Sequence, residues 1–399
     1  MPNTSAGTAP AAAPDAARRR SAVGLLSLSH LVDDMYQGAV PALLPFFVLH
    51  QGYGYAAATG IVFAATVLSS VAQPLFGMAA DRWRVHWPAP AGLLLAGLGV
   101  GLSGLGDSYW WTWTAIALSG LGVAAYHPVA ASAVRAVVGP SAQGMSWFAV
   151  GGNIGLALGP VAVTPVVLSF GLAGTPLLAV PALVMAGVLA ALGRSATGRR
   201  GRAAGGRGGG AGPADDWSAF ARLTGVVVLR SVMMFGTTSL LGLSLIDRFG
   251  FGEAQAGWAL TGFLAVGAAA TVTGGWIADR WARTRAVRIG YAIALPSAVL
   301  LAAAPAAWAA LLAAAGLAAG IFLPFAVQTT LGQSYLPTRV GTASGVTLGL
   351  AVSAGGVVAP LLGWIAEARG LPWAQGAVAL SAVAALALSF ALPERGRGH

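Results

Sequence analysis

Apolar runs of about twenty residues follow one another from Ala22 almost to the C-terminus, separated by short polar stretches. As a helix, a run of that length covers the ~30 Å hydrocarbon core of a bilayer, and a chain built of many such runs has lipid as its main solvent. The composition agrees. Of 399 residues, 57% are hydrophobic and 9% charged, whereas a soluble domain carries about 25% charged residues, so polar surface is too scarce to cover a water-soluble fold of this size. An all-α membrane protein is predicted, with spans at 22–49, 56–78, 88–106, 110–136, 142–168, 172–192, 218–246, 254–277, 285–304, 306–334, 340–366 and 372–392. The boundary between the Ala/Gly-rich spans 285–304 and 306–334 is the hardest to place.

Charge sets the orientation. All 22 basic residues are Arg. With the N-terminus inside, 18 of them fall on the inner side and only Arg248 and Arg369 outside, while Arg135 lies near an inner helix end and Arg230 within a span. This is a strong positive-inside pattern, and an even number of spans returns the C-terminus to the cytoplasm. The net charge of +10 therefore marks cytoplasmic loops and not a nucleic-acid partner. Arg18, Arg19 and Arg20 before an apolar run look like the start of a signal peptide, but the run is too long and many others follow it.

Residues 1–20 are expected to be a disordered cytoplasmic terminus and 393–399 a cytoplasmic tail. Segment 193–217, rich in Gly and Arg, is expected to be a flexible cytoplasmic linker between a six-helix bundle at 21–192 and another at 218–392. An internal repeat supports this division. Gly77-Met-Ala-Ala-Asp81-Arg82-Trp83 follows the second span, and Gly275-Trp-Ile-Ala-Asp279-Arg280-Trp281 follows the eighth. Two pseudo-equivalent six-helix halves form a transporter architecture, with the substrate site at mid-membrane between them. Gly77, Asp81, Arg82, Gly275, Asp279 and Arg280 are the gating candidates. An Asp near a helix end accepts from Arg and from backbone N–H groups, and such latches break when the halves rock.

Several functions are excluded. The chain has no Cys, hence no disulfide or thiolate metal site. It has no Lys, hence no P-loop and no retinal Schiff base. The five His form no H-E-x-x-H, G-x-S-x-G is missing, and Asp33-Asp34 lacks the third acid of a diphosphate-binding metal motif. No enzymatic activity and no cofactor beyond the proton motive force are expected, and charges at mid-membrane argue against an inert scaffold.

Those charges carry the chemistry. The first span reads Ser29-His30-Leu-Val-Asp33-Asp34-Met-Tyr36-Gln37-Gly-Ala-Val-Pro41-Ala-Leu-Leu-Pro45. Asp34 lies about 18 Å along the helix from Ala22, near the bilayer centre, where a carboxylate costs several kcal/mol unless paired, solvated or protonated. His30, Asp34, Gln37 and Pro41 share one helix face. Asp33 points about 100° away, toward Tyr36 or Gln37. Asp34 is therefore the first candidate for proton coupling, with Asp33 and His30 beside it, and Pro41 and Pro45 are expected to bend the helix. Arg230, also near mid-depth, keeps its proton and needs an anion: Asp33 or Asp34 across the interface, or an anionic substrate. His127, in Tyr126-His127-Pro128, titrates near neutral pH. Asn153, in the Gly-rich fifth span, is a candidate to face a cavity. Arg230, His127, Asn153, Tyr36 and Gln37 form the expected substrate set. Trp110, Trp111 and Trp113 read as an outer aromatic belt.

The repeated G-x-x-x-D-R-W resembles the loop signature of the major facilitator superfamily. The set His30, Asp34, Tyr36, Gln37, Pro41 and Pro45, with His127-Pro128, Gly151-Gly152-Asn153 through Gly159-Pro160, and Arg230-Ser231, is similar to the fosmidomycin-resistance family within it. Gly155, Gly159 and Pro160 fit part of the superfamily's antiporter signature, while Ser146 stands where a Gly is expected. The resemblance implies drug:proton antiport in a bacterial cytoplasmic membrane, with export of an anionic phosphonate antibiotic by some members and therefore antibiotic resistance. The expected partners are a small-molecule substrate, protons and the lipid bilayer, and the expected state is a monomer. The competing expectation is an uptake symporter or uniporter for an organic anion, which the residues alone do not separate from export.

Overall fold

In the computed structural model, residues 13–83, 87–138, 142–196 and 214–394 are described, and among them every regular element is helical. The first half holds α1 (Ala13–Gln51), α2 (Tyr55–Trp83), α3 (Pro88–Leu102), α4 (Tyr109–Val138), α5 (Ala142–Phe170), a 3₁₀ helix (Leu172–Ala179) and α6 (Val180–Ala196). The second half holds α7 (Trp217–Phe249), α8 (Glu253–Arg280), α9 (Arg283–Ala303), α10 (Ala307–Phe322), α11 (Phe325–Tyr335), α12 (Val340–Gly345), a π-helical turn (Val346–Leu350), α13 (Ala351–Arg369) and α14 (Leu371–Ser389).

Helix occupies each expected span. Among the described residues, eight helical stretches are long and apolar enough to cross a membrane. The first span is not among them, because His30, Asp33, Asp34 and Gln37 dilute its apolar character. α1 starts at Ala13, ahead of the expected Ala22, and stays one helix through Pro41 and Pro45. The difficult boundary falls at Ala304–Ala306, between α9 and α10. The tenth span is interrupted before Pro324, whose ring nitrogen has no hydrogen to donate. Positions 1–12, 197–213 and 395–399, which hold most of the expected N-terminus, linker and tail, lie outside the described residues.

Glycine sets how closely α1 and α5 approach. Side chains added at Gly151, Gly155 and Gly159 would run into the backbone of Ser27, Leu31 and Gly38. The spacing of four puts all three on one face of α5, as in small-residue packing between membrane helices. α1 is thereby clamped against α5, with α4 alongside, and this fixes the rotation of the acidic helix. The halves meet mainly where α2 packs on α13 and α5 on α8. At the end holding the starts of α2 and α8 they are joined by polar contacts: His50 Nε2 to Glu253 Oε1 at 2.7 Å and Ala56 N donating to Glu367 Oε2 at 3.1 Å. Close packing of Gly363 on Thr59, Gly257 on Thr164 and Gly242 on Pro45 adds to the joint.

Candidate functional site

A cavity of about 130 Å³ lies between the halves at mid-length of the helices. The first half lines it with Tyr36, Gln37, Pro41, Thr66, Gln73 and Ser119, among others. The second lines it with Met234, Phe235, Thr238, Leu264, Gly349 and Ser353. Gly349 belongs to the π turn, a departure from α geometry of the kind that recurs at functional sites. The lining is apolar with scattered hydroxyl and amide groups, the usual make-up of a small-molecule pocket.

The ionisable cluster sits just beyond this cavity, toward the ends of α2 and α8 that carry the repeated motif. Gln37 Nε2, exposed to the cavity, donates to Asp34 Oδ1 at 2.5 Å. Asp34 Oδ2 lies 3.3 Å from His30 Nε2, and its Oδ1 lies 3.2 Å from His127 Nε2. The two Nε2 atoms are 3.3 Å apart. Asp33, fully buried, places Oδ2 3.2 Å from His127 Nδ1. Both imidazoles are anchored at their other nitrogen: His30 Nδ1 to the Phe148 carbonyl at 2.8 Å, and His127 Nδ1 to the Val123 carbonyl at 3.0 Å. The Phe148 ring stacks on His30 with centroids 4.0 Å apart. A hydrogen bond of 2.6 Å between Ser29 and Tyr126 closes the cluster from behind.

The shared face of His30, Asp34, Gln37 and Pro41 is thus a physical surface, with its last two members in the cavity wall. Asp33 points the other way, but it meets His127 and not Tyr36 or Gln37. The Tyr36 hydroxyl donates to the Leu178 carbonyl at 2.9 Å and accepts from Ala182 N at 3.0 Å, so its polar end is held by the 3₁₀ helix and α6. His127, placed in the substrate set from sequence, belongs to the acidic cluster. Asn153 is half-buried and does not line the cavity. Its neighbour Gly152 is the residue that touches the cluster, since an added Cβ there would strike Asp34 and the His30 ring. Phe148 was not singled out from sequence, and Gly152 was named only within the run Gly151-Gly152-Asn153, without a role. The run Gly151-Gly152 carried the signal, as the second glycine breaks the spacing of four and must serve another neighbour.

Arg230 is 1% exposed and lies inside the second half, on the same helix as Met234 and Phe235 of the cavity wall. Its Nε donates to Gln328 Oε1 at 3.0 Å, Gln328 donates on to the Tyr291 hydroxyl at 2.6 Å, and the guanidinium lies 4.6 Å above the Phe325 ring. Nη1 has no hydrogen-bond partner, and no carboxylate pairs with Arg230 among the described residues. Of the two anions expected for it, Asp33 or Asp34 on the one hand and a bound substrate on the other, the first does not make the contact.

Both copies of the repeated motif end a helix, α2 at Trp83 and α8 at Arg280. The side chains of Gly77, Asp81 and Arg82 lie outside what is described. Asp279 and Arg280 are exposed, and Arg285 lies over the Trp281 ring at 5.7 Å. The tight approach in the second copy is at Gly274, against the Leu323 carbonyl, and not at Gly275, which has open space around it.

A cavity lined by both halves and a buried acid–base cluster on the first helix are in place, and known transporters resemble the chain along most of its length. The fosmidomycin resistance protein of Escherichia coli (strain K12) is 28% identical over 359 residues, 86% of each chain. The MFS-type transporter YfnC of Bacillus subtilis (strain 168) is 26% identical over 379 residues, 92% of each chain. A bacterial homologue of the human lysosomal transporter Spinster, solved in an inward-facing and occupied conformation, superposes with a TM-score of 0.79 at 16% identity over 97% of each chain. The nucleoside transporter NupG gives 0.73 at 13% identity, over 93% of this chain and 98% of its own. A sequence model of the Major Facilitator Superfamily matches residues 26–360 and 223–399. Nearly the whole length is covered by those matches, so this multi-pass membrane protein belongs to the Major Facilitator Superfamily.

Proposed function

We propose that the protein is a proton-coupled exporter of a small anionic compound of the phosphonate class, working by alternating access with twelve spans and both termini in the cytoplasm. The observation that carries this reading is the cluster His30–Asp34–His127 bordering the cavity between the halves. Both Nδ1 atoms face carbonyl oxygens, which only accept, so both carry hydrogen and each neutral ring presents a bare lone pair at Nε2. Those lone pairs and the Asp34 carboxylate face one another at 3.2–3.3 Å. Three acceptors so close repel unless a positive charge sits among them, and a shared proton satisfies them. Gln37 links the proton-bearing carboxyl to the cavity, where Tyr36 and Gln37 contact the substrate. A proton arriving at Asp34 competes with Gln37 for the carboxylate and so changes the wall the substrate sees, which is the antagonism exchange requires.

Arg230, without a carboxylate partner, projects a positive field through the wall formed by Met234 and Phe235 and favours an anion in the cavity. The relative named for fosmidomycin resistance supports the phosphonate class and the outward direction. The joined end at His50–Glu253 and Ala56–Glu367 is the periplasmic end, so the substrate is loaded from the cytoplasm. Asp81–Arg82 and Asp279–Arg280 serve as the latch at the cytoplasmic end in the opposite state. The protein acts as a monomer in the bacterial cytoplasmic membrane and uses no cofactor.

The test is proteoliposomes with an imposed pH gradient, assayed for fosmidomycin accumulation against a neutral control solute. Gradient-driven accumulation of the phosphonate alone is expected. Equal flux with and without the gradient, or none in any direction, refutes the reading.

A further inference from the structure

We infer that His30, Asp34 and His127 also form a binding site for one divalent transition-metal ion of the zinc or cobalt type. The argument starts from ligand geometry. Nε2 of His30 lies 3.3 Å from Asp34 Oδ2, Nε2 of His127 lies 3.2 Å from Asp34 Oδ1, and the two nitrogens are 3.3 Å apart. Ligands at about 2.0 Å from a tetrahedral zinc ion lie about 3.3 Å apart, so the two nitrogens already stand one tetrahedral edge apart with a carboxylate oxygen at that distance from each, and one ligand atom from each of the three groups lies within 4.8 Å of the others. His30 and Asp34 come from adjacent turns of α1, and His127 from α4. Two helices, with α5 behind, hold the set before any ion arrives.

The surroundings match a metal site beyond the ligands themselves. A ligating imidazole ordinarily donates its second N–H to a carbonyl or carboxylate, which fixes the ring and its tautomer. Here His30 Nδ1 is held by the Phe148 carbonyl and His127 Nδ1 by the Val123 carbonyl, with Asp33 Oδ2 3.2 Å from the latter nitrogen. Asp33 is fully buried and neither of its oxygens has a hydrogen-bond partner. Its free oxygens are therefore in place to accept from the His127 ring as an outer partner once an ion fixes that ring. Two imidazoles and one carboxylate select zinc, cobalt or nickel over magnesium and calcium, which prefer oxygen ligands. Among the described residues, the charged and titratable groups facing the site are His30, Asp33 and Asp34 from α1 and Tyr126 and His127 from α4, while α5 adds the Phe148 carbonyl and the glycine wall at 152. Gln37, in the cavity wall and bonded to Asp34, marks the side from which an ion enters.

Occupancy stands apart from the transport reading. Its consequence rests on it: an ion among the three ligands takes the place given to the shared proton, and exchange stops.

The test uses the full chain in lipid nanodiscs, carrying a purification tag without histidine and stripped of metal, titrated with Co²⁺ and followed by the visible bands of four-coordinate cobalt, then displaced with Zn²⁺. One ion per chain is expected. Asp34→Asn and His127→Gln should each weaken binding at least 100-fold. Asp33→Asn, which removes no ligand, should weaken it roughly 10- to 100-fold. His50→Gln, at the surface pair with Glu253, should leave it unchanged. A Zn²⁺-dependent rise in the wild-type melting temperature, absent in Asp34→Asn, gives a second readout independent of the cobalt spectrum. Absence of cobalt bands at millimolar Co²⁺, or equal binding by wild type and Asp34→Asn, overturns the inference. Metal binding without proton-driven flux would sink the transport reading and keep this one, and flux without metal binding does the reverse.

Discussion

Gly152→Ala adds one methyl group where α5 passes against both His30 and Asp34 of the cluster. The added Cβ would stand 2.6 Å from His30 Cε1 and 2.8 Å from Nε2, and against Asp34 Oδ2. Carbon contacts are normally about 3.5–4.0 Å, so the imidazole or the carboxylate must retreat by about 1 Å. His30 is held between the Phe148 ring and carbonyl and cannot move alone. Overpacking of this kind costs about 1–3 kcal/mol, more than the ~0.5–1 kcal/mol a helix gains when Gly becomes Ala. Misplacing a reacting group by about 1 Å lowers rates up to ~100-fold. Gradient-driven phosphonate flux in proteoliposomes should therefore fall ~10- to 100-fold, while the protein still assembles. Gly187→Ala is the control, because an added Cβ there meets nothing within 4 Å, and it should transport as the wild type does. Wild-type flux in Gly152→Ala would show that the cluster's geometry does not limit transport.

Other outcomes follow from the same geometry. Arg230→Met removes the buried positive field. For an anion about 10 Å away at an effective dielectric of about 20, Coulomb's law gives about 1.7 kcal/mol, a roughly 15-fold rise in KM. Concentration-dependent flux checks this, and an unchanged KM would assign Arg230 to packing alone. Tyr36→Phe strips a hydroxyl that both donates to Leu178 and accepts from Ala182, so it should lower thermal stability by about 1–2 kcal/mol, read by melting in detergent. Glu367→Gln weakens the tie to the start of α2 by trading a charged acceptor for a neutral one. It should raise labelling of a Gln37→Cys reporter by an impermeant maleimide from the periplasmic side. The native chain has no Cys to interfere, and unchanged labelling would separate that contact from gating.

The positions of the helices along the chain were legible because length and apolarity decide them, and lipid leaves few alternatives. The polar face of α1 was legible for a similar reason: spacing fixes which residues of one helix stand together, and His30, Asp34, Gln37 and Pro41 do. Spacing says nothing of how a helix is rotated against its neighbours. Arg230 falls within a helix, as expected, yet its side chain turns inward to Gln328 and Tyr291 and not toward α1. Asn153 and Gly152 are adjacent, and only packing against α1 decides that the glycine meets Asp34. His127 was read as a substrate ligand because nothing in sequence brings α4 against α1. The 3₁₀ start of the sixth span and the π turn before α13 depend on tertiary fit, and local propensity carries no mark of either.

Asp34→Asn tests the central claim most directly when two fluxes are measured in the same proteoliposomes: accumulation driven by a pH gradient, and counterflow between equal phosphonate pools, which needs no net proton movement. A carboxyl that carries the proton predicts that the variant loses gradient-driven accumulation and keeps counterflow. Gradient-driven accumulation at the wild-type rate in Asp34→Asn would contradict it.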